Sequence, residues 1–194
     1  MLTDAAIAYE RSAHAFLNAR DRSMIGAQLV ALWARSLKKD AEVIELACGA
    51  GYPITSALQH PNLKLWAIDS SPTLVDAFHR RFPSVPIVCE KVQDSDFFGR
   101  SYDAVVAVGL LFLLPESEQI TLINRIASIL VPGGRFLFTA PIETGCWVDL
   151  NSGIMCQSLG SARYRSALND AGFHVIATLI DEGENHYFDA QRLS

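Results

Sequence analysis

Apolar and polar positions change their period along the chain. Over Ala5–Ala19 and Met24–Leu37 apolar residues recur at helical spacing, and in the second stretch Ile25, Leu29, Leu32 and Trp33 share one face. Beyond the charged break Lys38–Asp40, short apolar runs alternate with helical ones. Strands are predicted at Glu42–Ala47, Lys64–Ile68, Pro86–Cys89, Tyr102–Val108 and Arg135–Ala140, and helices at Ile54–His60, Thr73–Phe82 and Ser117–Leu130. The second of these helices opens on "SSP", a serine cap followed by proline at the first helical position. Repeated strand–helix alternation builds a parallel sheet with helices on both faces, a doubly wound α/β fold. The tail differs. A helix at Ser161–Ala171 leads to "FHVIATLI", the turn residues "DEGEN" and "HYFDA". So short a connection makes a hairpin, so the last strand is expected to run antiparallel to the others.

Composition narrows the class. At 194 residues, half of them apolar, the chain fits one compact domain. No segment reaches membrane-spanning length, and the first residues carry acids with no unbroken apolar run, so a soluble, cytoplasmic protein with no membrane partner is expected. Cys48, Cys89, Cys146 and Cys156 have no paired spacing, which argues against a zinc site or a disulfide framework and for no metal. A net charge of −5 offers no field for a polyanion, and Lys38–Lys39 and Arg80–Arg81 are too small for a phosphate-tracking stripe. Nucleic acid is therefore not expected as a partner.

The chemistry concentrates in "VIELACGAGYP", Val43 to Pro53. A glycine turn after a first strand is where doubly wound folds bind nucleotides, with an acid ending the second strand on the ribose hydroxyls. Asp69, closing "KLWAID", fits that acid. A dinucleotide does not fit the rest. Ile54 stands where the third glycine belongs, Pro53 removes an amide, and Glu45 would repel phosphates. A phosphate-free cation such as S-adenosylmethionine removes all three objections, since Glu45 favours its ammonium and sulfonium.

"VIELACGAG", "LWAIDSSP", "YDAVVAVGLLFLLP" and "ILVPGGRFLFTAP", in that order, resemble the motifs of class I S-adenosylmethionine-dependent methyltransferases. The resemblance runs from about Asp40 to the C-terminus. It implies a Rossmann-like sheet of seven strands with an antiparallel last strand, and residues 1–38 as an N-terminal helical lid on a domain of residues 39–194. Carried over position by position, it implies that Glu45, Ala47, Cys48, Gly49 and Gly51 form the methionine-side turn. Asp69 then takes the ribose, Ser70 flanks the adenine, and Val92 and Gln93 meet its amine, with Glu90 or Asp94 as other alignments. Val108 and Gly109 fall beside the sulfonium, and S-adenosylhomocysteine is the expected product. Bland roles compete: a helix-capping or salt-bridging Glu45, and an Asp69 that caps the following helix.

On the acceptor side no residue is obligatory, because an activated leaving group lets positioning dominate. "VGLLFLLP" lacks the Asn/Asp-Pro-Pro-aromatic signature that related enzymes use for exocyclic amines, so a small-molecule acceptor is expected, oxygen ahead of nitrogen or carbon. The long segment Pro141–Gly160 leaves the fifth strand at the ligand edge, with Trp147, Asp149, Ser152 and Ser158 as candidate contacts. Tyr9, Arg11 and His14 are candidates to close the pocket from the first helix. In the last hairpin, His186 is the candidate base, oriented by Glu184, against the alternative of a self-satisfied polar turn. Two rival functions remain: a nicotinamide-nucleotide oxidoreductase and a non-catalytic S-adenosylmethionine-binding protein.

Overall fold

The side chains of β1 (Ala41–Leu46) divide the molecule: Val43 is buried against one layer and Ile44 against the other. A strand covered on both faces reads as a continuous apolar run, which is why the pattern predicted it well. A computed structural model describes residues 4–59, 63–150 and 152–193. Around β1 lie β2 (Leu63–Asp69), β3 (Ile87–Cys89), β4 (Tyr102–Ala107), β5 (Leu130–Thr139), β8 (Phe173–Ile180) and β9 (His186–Arg192), in the spatial order β3-β2-β1-β4-β5-β9-β8. All run parallel except β9, which is antiparallel to both of its neighbours. This is the expected seven-stranded sheet with its antiparallel last strand. The chain winds outward from β1 to β3 and then returns to β4, so the carboxyl ends of β1 and β4 flank the crevice where such sheets take ligands.

Helices fill both faces. On one, Leu122, Ile123 and Ile126 of α5 (Glu116–Ile129) and Tyr164, Ala167 and Leu168 of α6 (Gly160–Asp170) pack on Ile44, Val105, Phe136, Phe138 and Phe188. On the other, Val30, Trp33 and Ala34 of α2 (Ala27–Ala34) and Ile54 and Leu58 of α3 (Ile54–Leu58) cover Val43, Ala104, Val106, Leu137 and Tyr187. Phe138 is 0% exposed, and its ring lies 4.7 Å from that of Phe136 and 5.1 Å from that of Phe188, centroid to centroid. Phe138→Ala should therefore cost about 3–5 kcal/mol of stability, read as a lower midpoint in chemical denaturation.

Several elements depart from expectation. The second helix starts at Ala27 rather than Met24, because Gly26 takes φ 83° and donates its N–H to Glu182 Oε1 at 3.2 Å. Its buried face is Ala27, Val30, Trp33 and Ala34, while Leu32 is 57% exposed. α3 ends at Leu58, and His60 lies outside the described residues. The segment expected as a long loop holds a second, two-stranded sheet, β6 (Thr144–Val148) against β7 (Met155–Leu159). Of the described residues among the first 38, α2 is core, α1 (Ala5–Arg20) crosses toward the ligand edge and packs on α4 (Pro72–Arg81), and Ile25 between them also reaches the cleft.

Candidate active site

After β1 the chain must turn sharply, and the backbone takes positive φ at Ala47, Gly49 and Gly51. A side chain at Gly51 would run into the Phe82 ring, so glycine is required there by packing as well as by its φ of 87°. The turn is held from β2. Asp69 is buried and accepts from the N–H of Gly49 at 2.8 Å and of Ser71 at 2.9 Å. Burial raises its pKa, opposed by the N–H groups of Ser71, Gly49 and Ser70. Ser71, whose hydroxyl accepts from the Leu74 N–H at 3.2 Å, is the cap of α4. Asp69 thus shapes the turn, and it also lines the cavity.

Glu45 is 4% exposed at the end of β1, and its Oε2 accepts from the Thr55 hydroxyl at 2.5 Å. Burial pushes its pKa up to about 8; the Thr55 bond opposes that, the charge of Asp69 adds to it, and Arg20 opposes it. Among the described residues it makes no salt bridge, and α3 takes no side-chain cap, so neither bland role accounts for it. Burial lowers the Arg20 pKa, while Tyr187, Glu45, Asp181 and Tyr9 pull it upward. Arg20, the last residue of α1, makes no hydrogen bond or ion pair from its side chain among the described residues.

These groups line one cleft of about 1100 Å³. Its walls include Glu45, Ala47, Cys48, Gly49, Asp69 and Ser70 on the side of β1 and β2, and Val92 and Gln93 after β3. Val108 and Gly109 line it at the end of β4, where the Gly109 N–H donates to Thr139 Oγ1 at 2.7 Å. Glu90, Asp94 and Asp149 also reach it. Gly51, Arg11, His14, Trp147, Ser152 and Ser158 do not line it, and Arg11 and His14 are exposed to solvent. Ser158 bonds the Pro141 carbonyl at 2.8 Å and the Gly160 N–H at 3.1 Å, fastening the start of α6.

The last hairpin does sit at this edge, yet the cavity is met by Asp181, Asn185 and Tyr187 and not by Glu184 or His186. Alternation along β9 puts His186 on the same side as Phe188, opposite Ile180, while Tyr187 faces α3. Asp181 accepts from the N–H groups of Gly183 and Asn185, from the Asn185 amide and from the Tyr187 hydroxyl at 3.1 Å. This is the self-satisfied polar turn that composition also allowed.

Two elements roof the cavity. α1 is tied over the β2 and β3 side by Glu10, which accepts from Thr73 Oγ1 at 2.6 Å and from the Ser71 hydroxyl. Paired bonds from Arg81 to Asp21 at 2.8 and 2.6 Å and the Lys91–Asp4 pair complete the tie. On the other side Ala8 and Tyr9 pack with Ile154 and Cys156 of the β6–β7 segment and with Phe112 and Leu113. Arg20, Phe112 and Tyr187 carried no sequence signal, because their roles come from where α1 and the hairpins cross the edge.

Residues 43–134 match the profile of a family described as a methyltransferase domain. Together with the sheet order and the glycine turn, the match supports a class I S-adenosylmethionine-dependent methyltransferase domain, which implies S-adenosylmethionine as cofactor. That sets the oxidoreductase reading aside. Over 141 residues the chain is 26% identical to the tRNA N(3)-methylcytidine methyltransferase trm141 of Schizosaccharomyces pombe, covering 67% of this chain and 55% of that protein. The chain thus spans about half the length of that curated relative. Among solved structures, the 1,6-didemethyltoxoflavin-N1-methyltransferase of Burkholderia thailandensis has a TM-score of 0.79 at 16% identity, over 98% of this chain and 88% of that one. A chain from the complex of the Haloferax volcanii Trm112 methyltransferase activator with a putative methyltransferase gives 0.78 at 18%, over 100% of both chains. The magnesium protoporphyrin IX methyltransferase of Synechocystis PCC 6803 with bound S-adenosylmethionine gives 0.66 at 17%, over 86% and 77%. Among the described residues no helix is long and apolar enough to cross a membrane, and no group of three or more His, Cys, Asp or Glu could hold a metal.

Proposed function

We propose that this protein methylates a small organic acceptor held beneath the roof made by α1 and the β6–β7 hairpin. The observation that carries the reading is the composition of the enclosed cleft: eight carboxylate side chains line it against three basic ones, Arg20, Lys91 and Arg125. Two of those bases are committed, Lys91 to Asp4 and Arg125 to the carbonyls of Val92, Gln93 and Ser95. A phosphate-rich polymer approaching this mouth meets repulsion, whereas a small neutral or cationic molecule does not.

The residues fit the cofactor. Glu45, buried with one oxygen held by Thr55, suits the ammonium, and the unpaired Arg20 suits the carboxylate beside it. Asp69 takes ribose hydroxyls on its free lone pairs, Ser70 flanks the adenine, and Val92 and Gln93 meet the adenine amine. Bound S-adenosylmethionine supplies a methyl group on positively charged sulfur, already activated for displacement. The protein contributes position: the Val108–Gly109 turn and its Thr139 anchor fix the floor, and the apolar Leu110, Phe112 and Leu113 exclude water.

The tRNA-acting relative favours a second reading, RNA methylation, over the 141 residues it shares. Incubation with methyl-labelled S-adenosylmethionine, total tRNA and a pool of small metabolites separates the two. Label is expected in the small-molecule fraction; label in tRNA at the same enzyme concentration would reverse the proposal.

A further inference from the structure

We propose that the acceptor carries a basic nitrogen, and that its cationic end is held by Asp149 in the part of the cleft walled by Tyr9 and Phe112. This rests on the methyltransferase reading of the same cavity and names the class of molecule that enters it.

The carboxylates around the cleft divide by their partners. Glu45 and Asp69 belong to the cofactor turn, Glu90 and Asp94 follow β3 at the adenine end, and Asp4 is paired with Lys91. Glu118 accepts from the Gln93 amide at 2.8 Å, and Asp181 is filled by its own turn. Asp149 remains. Its Oδ2 accepts from the Ser152 N–H at 2.7 Å and the Ser152 hydroxyl at 2.5 Å, while no basic side chain lies within ion-pair distance of it among the described residues. The Tyr9 phenol also stands against this carboxylate, so a half-buried acid set beside Tyr9, Phe112, Leu113 and Ile154 has neutral donors but no counter-charge until a cation arrives.

The neighbouring rings favour a cation there. The Phe112 ring lies 5.5 Å from that of Trp147, which fixes it as a wall, and Tyr9 and Phe112 belong to one packed cluster. Burial, then the charge of Asp149, raises the Tyr9 pKa, so its phenol stays neutral and its ring electrons remain available to a cation. A carboxylate joined to aromatic faces is the usual chemistry for protonated amines. An anionic acceptor would meet Asp149 without a counter-charge.

Three probes of one shape and different charge decide this: tyramine, tyrosol and 4-hydroxyphenylacetate, titrated at pH 7 by calorimetry into protein saturated with S-adenosylhomocysteine. Tyramine is expected to bind about tenfold tighter than tyrosol, with 4-hydroxyphenylacetate weakest. Asp149→Asn should bring tyramine to the level of tyrosol while S-adenosylhomocysteine affinity stays at the wild-type value, and Asp149→Glu should keep the preference. The proposal is overturned if the anion binds as well as the cation, if Asp149→Asn keeps the preference, or if none of the three binds. Failure of S-adenosylhomocysteine itself to bind would instead overturn the cofactor assignment.

Discussion

Glu45→Gln should flatten the pH dependence of cofactor binding and stabilise the ligand-free fold at pH 8. In the free protein the Glu45 pKa is about 8, so the side chain is largely protonated at neutral pH. An ammonium placed against it favours the carboxylate, so binding expels the proton, and affinity for S-adenosylmethionine should fall as pH drops below about 8. The limit is about tenfold per pH unit, until the lowered pKa of the complex is reached. The amide of Glu45→Gln has no proton to lose, so the variant should bind more weakly at pH 8 but with no such slope between pH 6 and 8. The stability sign is opposite. An acid whose folded pKa lies above its ordinary 4.5 binds more protons folded than unfolded, so between about 4.5 and 8 rising pH weakens the wild-type fold through this group. Removing the charge removes that loss. Calorimetry across pH, with denaturation of the ligand-free proteins, checks both; a wild-type affinity flat from pH 6 to 8 would remove Glu45 from the cofactor.

This linkage also explains why the opening motif was legible. An acid inside "VIEL" is a violation of a buried apolar strand, and local violations mark sites. The sheet was legible for a simpler reason: Val43, Ile44, Val105 and Val106 are covered on both sides, so burial writes itself as unbroken apolar runs. The β6–β7 hairpin is half-exposed, and "TGCWV" and "MCQSL" carry neither strong alternation nor a long run, although the "DLNSG" between them held the turn signal. In the last hairpin the placement at the ligand edge followed from topology, but the face did not. A strand alternates its side chains, so a one-residue difference in parity gives the cavity Tyr187 and turns His186 away. Helix α2 shows the same limit. Of the face read from periodicity, Trp33 and Leu29 do pack on the sheet-side core, but periodicity could not tell that Val30 joins them while Leu32 turns to solvent.

Arg20 depends entirely on tertiary structure, and its replacement is the second large effect expected. It is the final residue of α1, carried to the cavity because Asp21–Arg81 and Glu10–Thr73 pin that helix across α4. There it meets Glu45 and Asp181 at a distance but pairs with neither, a desolvated guanidinium with free donors. A ligand carboxylate completes it, so Arg20→Met should weaken S-adenosylmethionine by roughly 1.5–3 kcal/mol, between about tenfold and about 150-fold. The ligand-free fold should not suffer, since no ion pair is broken. 5′-Methylthioadenosine, which lacks the amino-acid end, tells the charge contact from a change in cavity shape. Arg20→Met should bind it as the wild type does, whereas Asp69→Asn, at the ribose, should weaken both ligands. Equal losses for both ligands in Arg20→Met would reduce Arg20 to a wall of the cavity. Unchanged binding of both would place the cofactor's carboxylate elsewhere, and Glu45 would then face the ammonium without a paired cation at its side.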